Sequence, residues 1–368
     1  MTSEFGTSLK IKLSGESHAD SVSAEVIGLP AGIEIDMSAL AAFMQRRQGG
    51  NLPFTTRRKE EDIPVFESGV KNNVTDGSPL IIRIYNRNVR SSDYNGFADT
   101  PRPSHADYTA QMRYGRDIDL RGGGHFSARL TAPLCAAGGI LKQVLSSKGI
   151  NIGTHLYSVG GVQDLPFNPA GVSLSDFEMV LAHTFPVILE AAGEKMKAEL
   201  SAAAGEGDSL GGVVEAAVAG LPAGLGDPLF NGVENRIAGA IFGLGGVRGI
   251  EFGTGFPASG MRGSEHNDAF CIRNGRVATV TNHSGGIMGG ITNGMPLIFR
   301  AAFKPTASIY KKQRTVSLSS MTETEIEIKG RHDPCIAIRA LPCVEAVTAA
   351  VMCDLIISKY GVLLPDSF

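Results

Sequence analysis

The chain has 368 residues, 43% hydrophobic and 19% charged, with a net charge of −3. That composition is ordinary for a globular protein with a large core, and it gives no reason to expect nucleic acid as a partner. No apolar run approaches the ~20 residues needed to cross a bilayer, so no membrane span is expected.

The first twelve residues lack the basic-then-apolar layout of a signal peptide. Five cysteines (Cys135, Cys271, Cys335, Cys343, Cys353) are scattered and include no C-x-x-C pair. Reduced, mostly buried thiols in a cytoplasmic protein without a metal site are therefore expected.

In chain order, the alternation at Ser23-Ala24-Glu25-Val26-Ile27 predicts an antiparallel strand with one wet face. Asp36 stands where a helix N-cap belongs, ahead of an apolar run holding Leu40, Phe43 and Met44. Asp76-Gly77-Ser78-Pro79-Leu80-Ile81 reads as a turn feeding a strand. Ala128-Arg129 and Pro133-Leu134-Cys135 lead into a long helix that stops near Gly149. Residues 150–204 read as a connecting excursion with its own helix, Ser175 to Ala204.

The same signals then recur in the same order. Gly205-Glu206 followed by Gly220-Leu221-Pro222-Ala223-Gly224 echoes Gly15-Glu16 followed by Gly28-Leu29-Pro30-Ala31-Gly32. Val213 to Ala217 repeats the strand, Asp227 before Pro228 the cap, and Ile237, Ile241 and Leu244 the apolar run. Asn293-Gly294-Met295-Pro296-Leu297-Ile298 repeats the turn, and Ile338-Arg339 with Pro342-Cys343-Val344 leads to a helix ending near Gly361. The expectation is a single domain over 1–368, built from two related halves at about 1–149 and 205–368. Strand–helix–strand halves with largely antiparallel sheets argue for an α+β fold.

Two histidine loops carry the chemistry: Gly15-Glu16-Ser17-His18-Ala19-Asp20 and Arg102-Pro103-Ser104-His105-Ala106-Asp107. Each places an imidazole beside a serine and two residues ahead of a carboxylate, and imidazole exchanges protons near neutral pH. Arg121-Gly122-Gly123-Gly124-His125-Phe126-Ser127-Ala128-Arg129 is either an anion-binding nest or a structural loop before a helix. His283 to Gly290 is a second glycine-rich loop, without the ending of a P-loop, and reads more readily as a tight turn between strands than as a site. Lys304-Pro305-Thr306-Ala307-Ser308 offers an ammonium and two hydroxyls, and Gly330-Arg331-His332-Asp333-Pro334 is either a site or a capped turn. Between Arg46 and Arg129 stand fourteen basic residues, twelve of them arginine, against ten acidic ones. Arginine pairs bidentately with phosphate and carboxylate, so a small, multiply anionic ligand is indicated. These residues reach the binding of a phosphorylated anion with proton transfer, and no further.

The order of the histidine loops, Thr55-Thr56-Arg57-Arg58-Lys59-Glu60, Arg121 to Arg129, His283 to Gly290, Lys304 to Ser308 and Gly330 to Pro334 resembles that of the chorismate synthases, from Gly6 almost to the C-terminus. The resemblance implies a layered β-α-β sandwich with internal duplication, usually assembled as a homotetramer. It implies conversion of 5-enolpyruvylshikimate-3-phosphate to chorismate by 1,4-anti elimination, the last step of the shikimate pathway, with reduced FMN. Some members also reduce their flavin with NADPH. A non-catalytic protein binding flavin or a phosphorylated metabolite is the alternative.

Carried over by position, the resemblance makes His18 the acid that assists phosphate departure and His105 the group that protonates or hydrogen-bonds the reduced flavin. Asp333 would help the flavin accept the ring proton. Ser17, Arg47, Ser127, Arg129 and Arg331 would bind substrate. His125, Phe126, Ser127, Gly245, Gly246, Gly289, Lys304, Pro305, Thr306, Ala307, Ser308 and Arg331 would line the FMN. The chain departs from the family pattern at Ala19 and Ser104, where glycine is usual. His125-Phe126 stands where arginine-serine is common, and Pro53 where many members carry arginine.

Overall fold

The computed structural model describes residues 2–49, 55, 60–87, 97–328, 333–361 and 363. The chain begins with β1 (Thr2–Gly6), β2 (Lys10–Gly15), β3 (Ser21–Ile27), α1 (Met37–Arg47), β4 (Val65–Ser68), β5 (Val70–Lys71), β6 (Val74–Thr75), β7 (Leu80–Tyr85), α2 (Asp107–Tyr114) and α3 (Thr131–Ser146). It continues through β8 (Asn151–Val159), β9 (Val162–Gln163), α4 (Leu174–Ala182), α5 (Glu190–Gly205), β10 (Gly212–Ala219), α6 (Val233–Ile241), β11 (Val247–Phe252) and α7 (Gly263–His266). Last come β12 (Phe270–Arg273), β13 (Arg276–Thr279), β14 (Ile287–Met288), β15 (Ile291–Thr292), β16 (Leu297–Phe303), β17 (Gln313–Ser317), β18 (Thr322–Ile326) and α8 (Ala337–Tyr360).

The fold is α+β. Two five-stranded sheets run in the orders β1-β2-β3-β7-β4 and β11-β16-β10-β8-β9. Neighbouring strands in both are antiparallel. Local chemistry accounts for the elements of the first sheet. β3 buries Val22, Ala24 and Val26 on one face, as its alternation requires. Asp36 caps α1, its carboxylate accepting from the Ser38 and Ala39 amides at 2.8 and 3.0 Å. Leu40, Phe43 and Met44 turn that helix into the core.

Helices α3 and α8 pack on each other, α3 also on β2, β3 and β7, and α8 also on β8 and β10. Their closest approach is set by Gly138, where a Cβ would lie only 2.3 Å from that of Ala346. One apolar cluster runs through both sheets and both helices.

Five expectations are corrected. The segment Ser175 to Ala204 is two helices, α4 and α5, broken around Pro186, whose carbonyl accepts from the Leu156 amide at 2.8 Å. β8, from within the expected connecting segment, is an interior strand of the second sheet. β10 has no wet face, because Phe167, Phe177, Val180, Ala217 and Ile298 form a second apolar cluster over it. Asp227 does not cap α6, since Pro228 and a 3-10 turn at Leu229–Asn231 intervene before Gly232 starts the helix.

The fifth correction concerns α8. By length and composition it is long and apolar enough to cross a membrane, and 94% of its apolar window is buried inside the protein. A helix enclosed on all sides by core carries apolar residues all round. The five cysteines are free and four are buried, with the Cys135 and Cys343 sulfurs 3.7 Å apart.

Candidate active site

The loop Arg121–Phe126 joins the two histidine loops. Gly122, Gly123 and Gly124 all have positive φ (62°, 89° and 54°), backbone that only glycine adopts without strain. A Cβ on Gly122 would lie 2.7 Å from the His18 ring and from Ser17 Oγ. One on Gly123 would lie 3.5 Å from Ser127 Cβ and 3.7 Å from His105 Nε2 and Cε1. The glycines thus form a cradle with Ser17 and His18 on one side, His105 and Ser127 on the other. Among the described residues Ser17 Oγ is buried without a hydrogen-bond partner. A buried hydroxyl left unpaired costs about 1–3 kcal/mol, which a ligand atom in the cradle would recover.

His105 is held from behind. Its Nδ1 lies 2.7 Å from Asp107 Oδ1, while Arg102 donates to both oxygens of Asp107 at 2.7 and 2.8 Å. Arg102 in turn lies over the Phe97 ring and reaches toward Ser308 Oγ. Burial works to raise the Asp107 carboxyl, but the hydrogen bonds from Arg102 and His105 outweigh it and hold the group well below the usual carboxylate range.

The segment Lys304–Ser308 adjoins this loop. The Lys304 ammonium donates to Ser104 O at 2.8 Å, its amide to Gly246 O at 2.9 Å, and Thr306 Oγ1 to Asp333 O at 2.9 Å. Gly245 precedes Gly246, and Pro305 and Ala307 complete the segment, the Ala307 carbonyl accepting from Gln313.

Beside the cradle is a cleft lined by Arg47, Glu60, Asp62, Ser127, Arg129, Asp333 and Arg339. Arg47 donates to Thr131 Oγ1 and Ala128 O at 2.8 and 3.1 Å and pairs with Asp62. Arg129 donates to Asn86 Oδ1 and Tyr85 O at 2.7 and 3.2 Å and pairs with Asp62 and Glu60. Arg339 donates to Asp333 Oδ2 and Arg47 O, both at 2.8 Å. These guanidinium groups are fixed by carboxylates in advance of any ligand.

The structure brings together Ser17, His18, His105, Ser127, Arg47, Arg129, Asp333, Gly246 and the Lys304–Ser308 segment. It does not bring His125 or Gly289 to them. Both ring nitrogens of His125 are engaged, by Gly15 O at 2.8 Å and Ser3 Oγ at 2.9 Å. Phe126 is 40% exposed, its ring near that of Tyr114. Gly289 lies in the β14–β15 turn near the start of β16. Lys304 follows the other end of that strand, about 20 Å away at ~3.3 Å per residue. Arg331 lies outside the described residues. Sequence reasoning gave no role to Arg339, Asp62, Arg102 or Asp107. Arg339 follows Ile338 as Arg129 follows Ala128 in the expected sequence repeat, and Arg102 and Asp107 flank His105, so those three left a signal.

Ser104 has φ of +60°. A side chain pays about 1–2 kcal/mol for that conformation. Ser104→Gly should therefore leave stability unchanged or raise it by up to about 1 kcal/mol, whereas β-branched Ser104→Val should lower it by about 1–3 kcal/mol. Melting curves of the two variants check this, and equal effects would remove the backbone explanation.

The family model for chorismate synthase matches residues 9–357. The chain belongs to the chorismate synthase family. The chorismate synthase of Lancefieldella parvula is 42% identical over 97% of each chain. That of Thermococcus gammatolerans is 44% identical over 95% of this chain and 96% of its own. A crystal structure of a chorismate synthase superposes with a TM-score of 0.77 at 27% identity, covering 97% of this chain and 94% of the other. As a chorismate synthase family member the chain is an enzyme of the lyase class that forms chorismate.

Proposed function

We propose that this chain converts 5-enolpyruvylshikimate-3-phosphate to chorismate and phosphate by 1,4-anti elimination, with reduced FMN as cofactor. The observation that carries the reading is the meeting of His18 and His105 on one glycine cradle beside an arginine-lined cleft. The cradle without Cβ atoms and the Lys304–Ser308 segment suit a flat, phosphorylated cofactor, and the orphaned Ser17 hydroxyl suits the substrate beside it. When bound, reduced flavin supplies electron density to the electron-deficient system from which phosphate leaves, a task no side chain performs well.

In this reading His18 gives a proton to the departing phosphate oxygen, and Arg47, Arg129 and Arg331 hold the phosphate and carboxylates. Because Asp62 already pairs with Arg47 and Arg129, the substrate's anionic groups must take those donors over from it. His105 hydrogen-bonds or protonates the cofactor, and Asp333 holds the departing ring proton. The C–O and C–H bonds break with loss of phosphate and a proton, so no net oxidation occurs. Ser17 and Ser127 line the substrate. Phe126, Ser127, Gly245, Gly246, Lys304 to Ser308 and Arg331 are the cofactor-contacting set in this reading, and His125 and Gly289, which the fold places elsewhere, leave it.

The reading extends to architecture. We take the chain as one domain with a layered, internally duplicated β-α-β fold. The matching orders β2-β3-β7-β4 and β8-β10-β16-β11, each with a long helix against it, support that. Exposed Phe230, Phe256, Phe270 and Ile272 support assembly as a homotetramer, and the free cysteines suit the cytoplasm.

Anaerobic incubation with 5-enolpyruvylshikimate-3-phosphate, with and without photoreduced FMN, tests the function. Chorismate should form only with the reduced flavin, and flavin binding without turnover would replace the reading by that of a binding protein.

A further inference from the structure

The side chains behind His105 settle which of its nitrogens carries a hydrogen. Arg102 and Asp107 are both buried, at 6% and 0% exposure, while His105 keeps 22% of its side-chain surface. Asp107 Oδ2 accepts from Arg102 Nε at 2.7 Å and from the Arg102 amide at 3.0 Å. Oδ1 accepts from Arg102 Nη2 at 2.8 Å and stands 2.7 Å from His105 Nδ1. An ionised carboxylate only accepts and a guanidinium only donates. Arg102 Nη2 is also 3.0 Å from His105 Nδ1, so that nitrogen has two neighbours of opposite demand. Were Nδ1 bare, its lone pair would face a carboxylate oxygen at 2.7 Å, closer than the guanidinium nitrogen that could donate to it. With hydrogen on Nδ1, the shorter contact becomes a charge-assisted hydrogen bond. The ring then presents Nε2, on the edge facing Gly123, as its only atom free to exchange a proton with a ligand.

We propose that Asp107, locked by Arg102, is a positioning residue that fixes His105 as the Nδ1–H tautomer and aims its Nε2 into the cradle. The assignment rests on the proposed function for the consequence in turnover, and on geometry alone for the tautomer. Asp107 opens α2, where a negative charge is favoured by the helix dipole. Arg102 is fixed at three further points: the Phe97 ring under its guanidinium at 4.6 Å, Ser308 Oγ at 3.5 Å, and its own carbonyl, which accepts from the His105 amide at 3.3 Å. The imidazole is therefore oriented by a frame that does not depend on the ligand being present.

The purely structural alternative is that Asp107 merely closes the loop from Arg102. Two measurements separate the readings. Ring ¹⁵N–¹H correlation spectra of the ligand-free wild-type enzyme, with His105 assigned by its loss in His105→Gln, should show Nδ1–H and a bare Nε2. A His105 spectrum of the opposite tautomer overturns the proposal whether or not any variant folds. Asp107→Asn keeps size and one acceptor but loses the charge. It should lower kcat about 100-fold or more through a mixed tautomer, with FMN and substrate dissociation constants within about 2-fold of wild type. Loss of activity in proportion to lost folded protein, with the wild-type tautomer kept, also overturns it. If wild type forms no chorismate at all, the functional reading fails while the tautomer measurement still decides this one.

Discussion

Replacing His18 or His105 by alanine lowers turnover by roughly 10²–10⁴ and leaves the melting temperature close to that of wild type. The factor is the usual worth of a proton-transferring side chain placed on a reacting group. The fold should tolerate both changes for reasons specific to each site. His18 sits in a short turn after β2 and packs on backbone at Gly122, so its loss opens space in a cradle without creating an apolar cavity. His105 is part-exposed, and removing it leaves Asp107 still paired with Arg102 through two hydrogen bonds, so no buried charge is orphaned. The two variants should differ in one respect. His18 faces the Ser17 side of the cradle and His105 the Ser127 side, so a role in phosphate departure and a role toward the cofactor predict different binding defects. His105→Ala should weaken reduced FMN more than substrate. Anaerobic chorismate formation with flavin and substrate titrations and a thermal melt are the measurements. A folded His18 or His105 variant with near-wild-type turnover removes that residue from the mechanism.

Much of this arrangement was legible in the chain because its signals are local. The Asp36 cap, the Leu40-Phe43-Met44 stripe and the Val22-Ala24-Val26 alternation each need only neighbouring residues, and each occurs where expected. What failed was non-local. Nothing in Val213 to Ala217 reveals that Phe167 and Phe177 cover its second face, and nothing in 151–159 reveals that this strand pairs with β10. Pro186 lies between α4 and α5, where its missing amide donor cannot serve one continuous helix, whereas Pro228 suits a helix start and leaves no local sign of the 3-10 turn that follows it. The apolar length of α8 is masked in the sequence because Glu345 and Asp354 interrupt it, and both are buried and paired.

The site divides in the same way. Spacing identified the two histidine loops and the glycine loop as separate segments. Their meeting depends on three consecutive positive-φ glycines, of which Gly122 and Gly124 lie where a Cβ would collide with His18 and Ser17 or with Asp119 O. Counting arginines between Arg46 and Arg129 suggested free cations waiting for an anion. Yet Arg47 and Arg129 share Asp62, and Arg102 is committed to Asp107. Charge counts cannot show pairing, so the excess overstates the positive charge offered to a ligand.

Glu345 carries the largest expected effect on stability: Glu345→Ala should destabilise the protein by about 3–5 kcal/mol, the usual result of removing one member of a buried ion pair. The carboxylate is 1% exposed in the middle of α8, where it pairs with Arg46 and Lys142 and accepts from Thr154 Oγ1 at 2.7 Å. Its removal leaves two cations side by side over the Phe43 ring with no counter-charge. Burial alone would raise the Glu345 carboxyl, but the charges of Arg46 and Lys142 and their hydrogen bonds lower it from 4.5 to about 2. Burial also holds the Lys142 ammonium below its ordinary value, so part of what the carboxylate gains is returned there. The sign follows from the lowered value. Stabilisation from Glu345 is fully present above its unfolded value near 4.5 and is lost as the pH falls through 4.5 toward about 2. Wild type should therefore lose roughly 3 kcal/mol across that interval from this group. Glu345→Gln, which keeps shape but cannot ionise, should start less stable at pH 7 and show a shallower acid slope. Denaturant unfolding at a series of pH values from 7 to 2 measures both quantities. Parallel acid slopes for wild type and Glu345→Gln would mean that acid stability is set by other carboxylates, Asp107 and Asp164 first among them, since both are also held below their ordinary values.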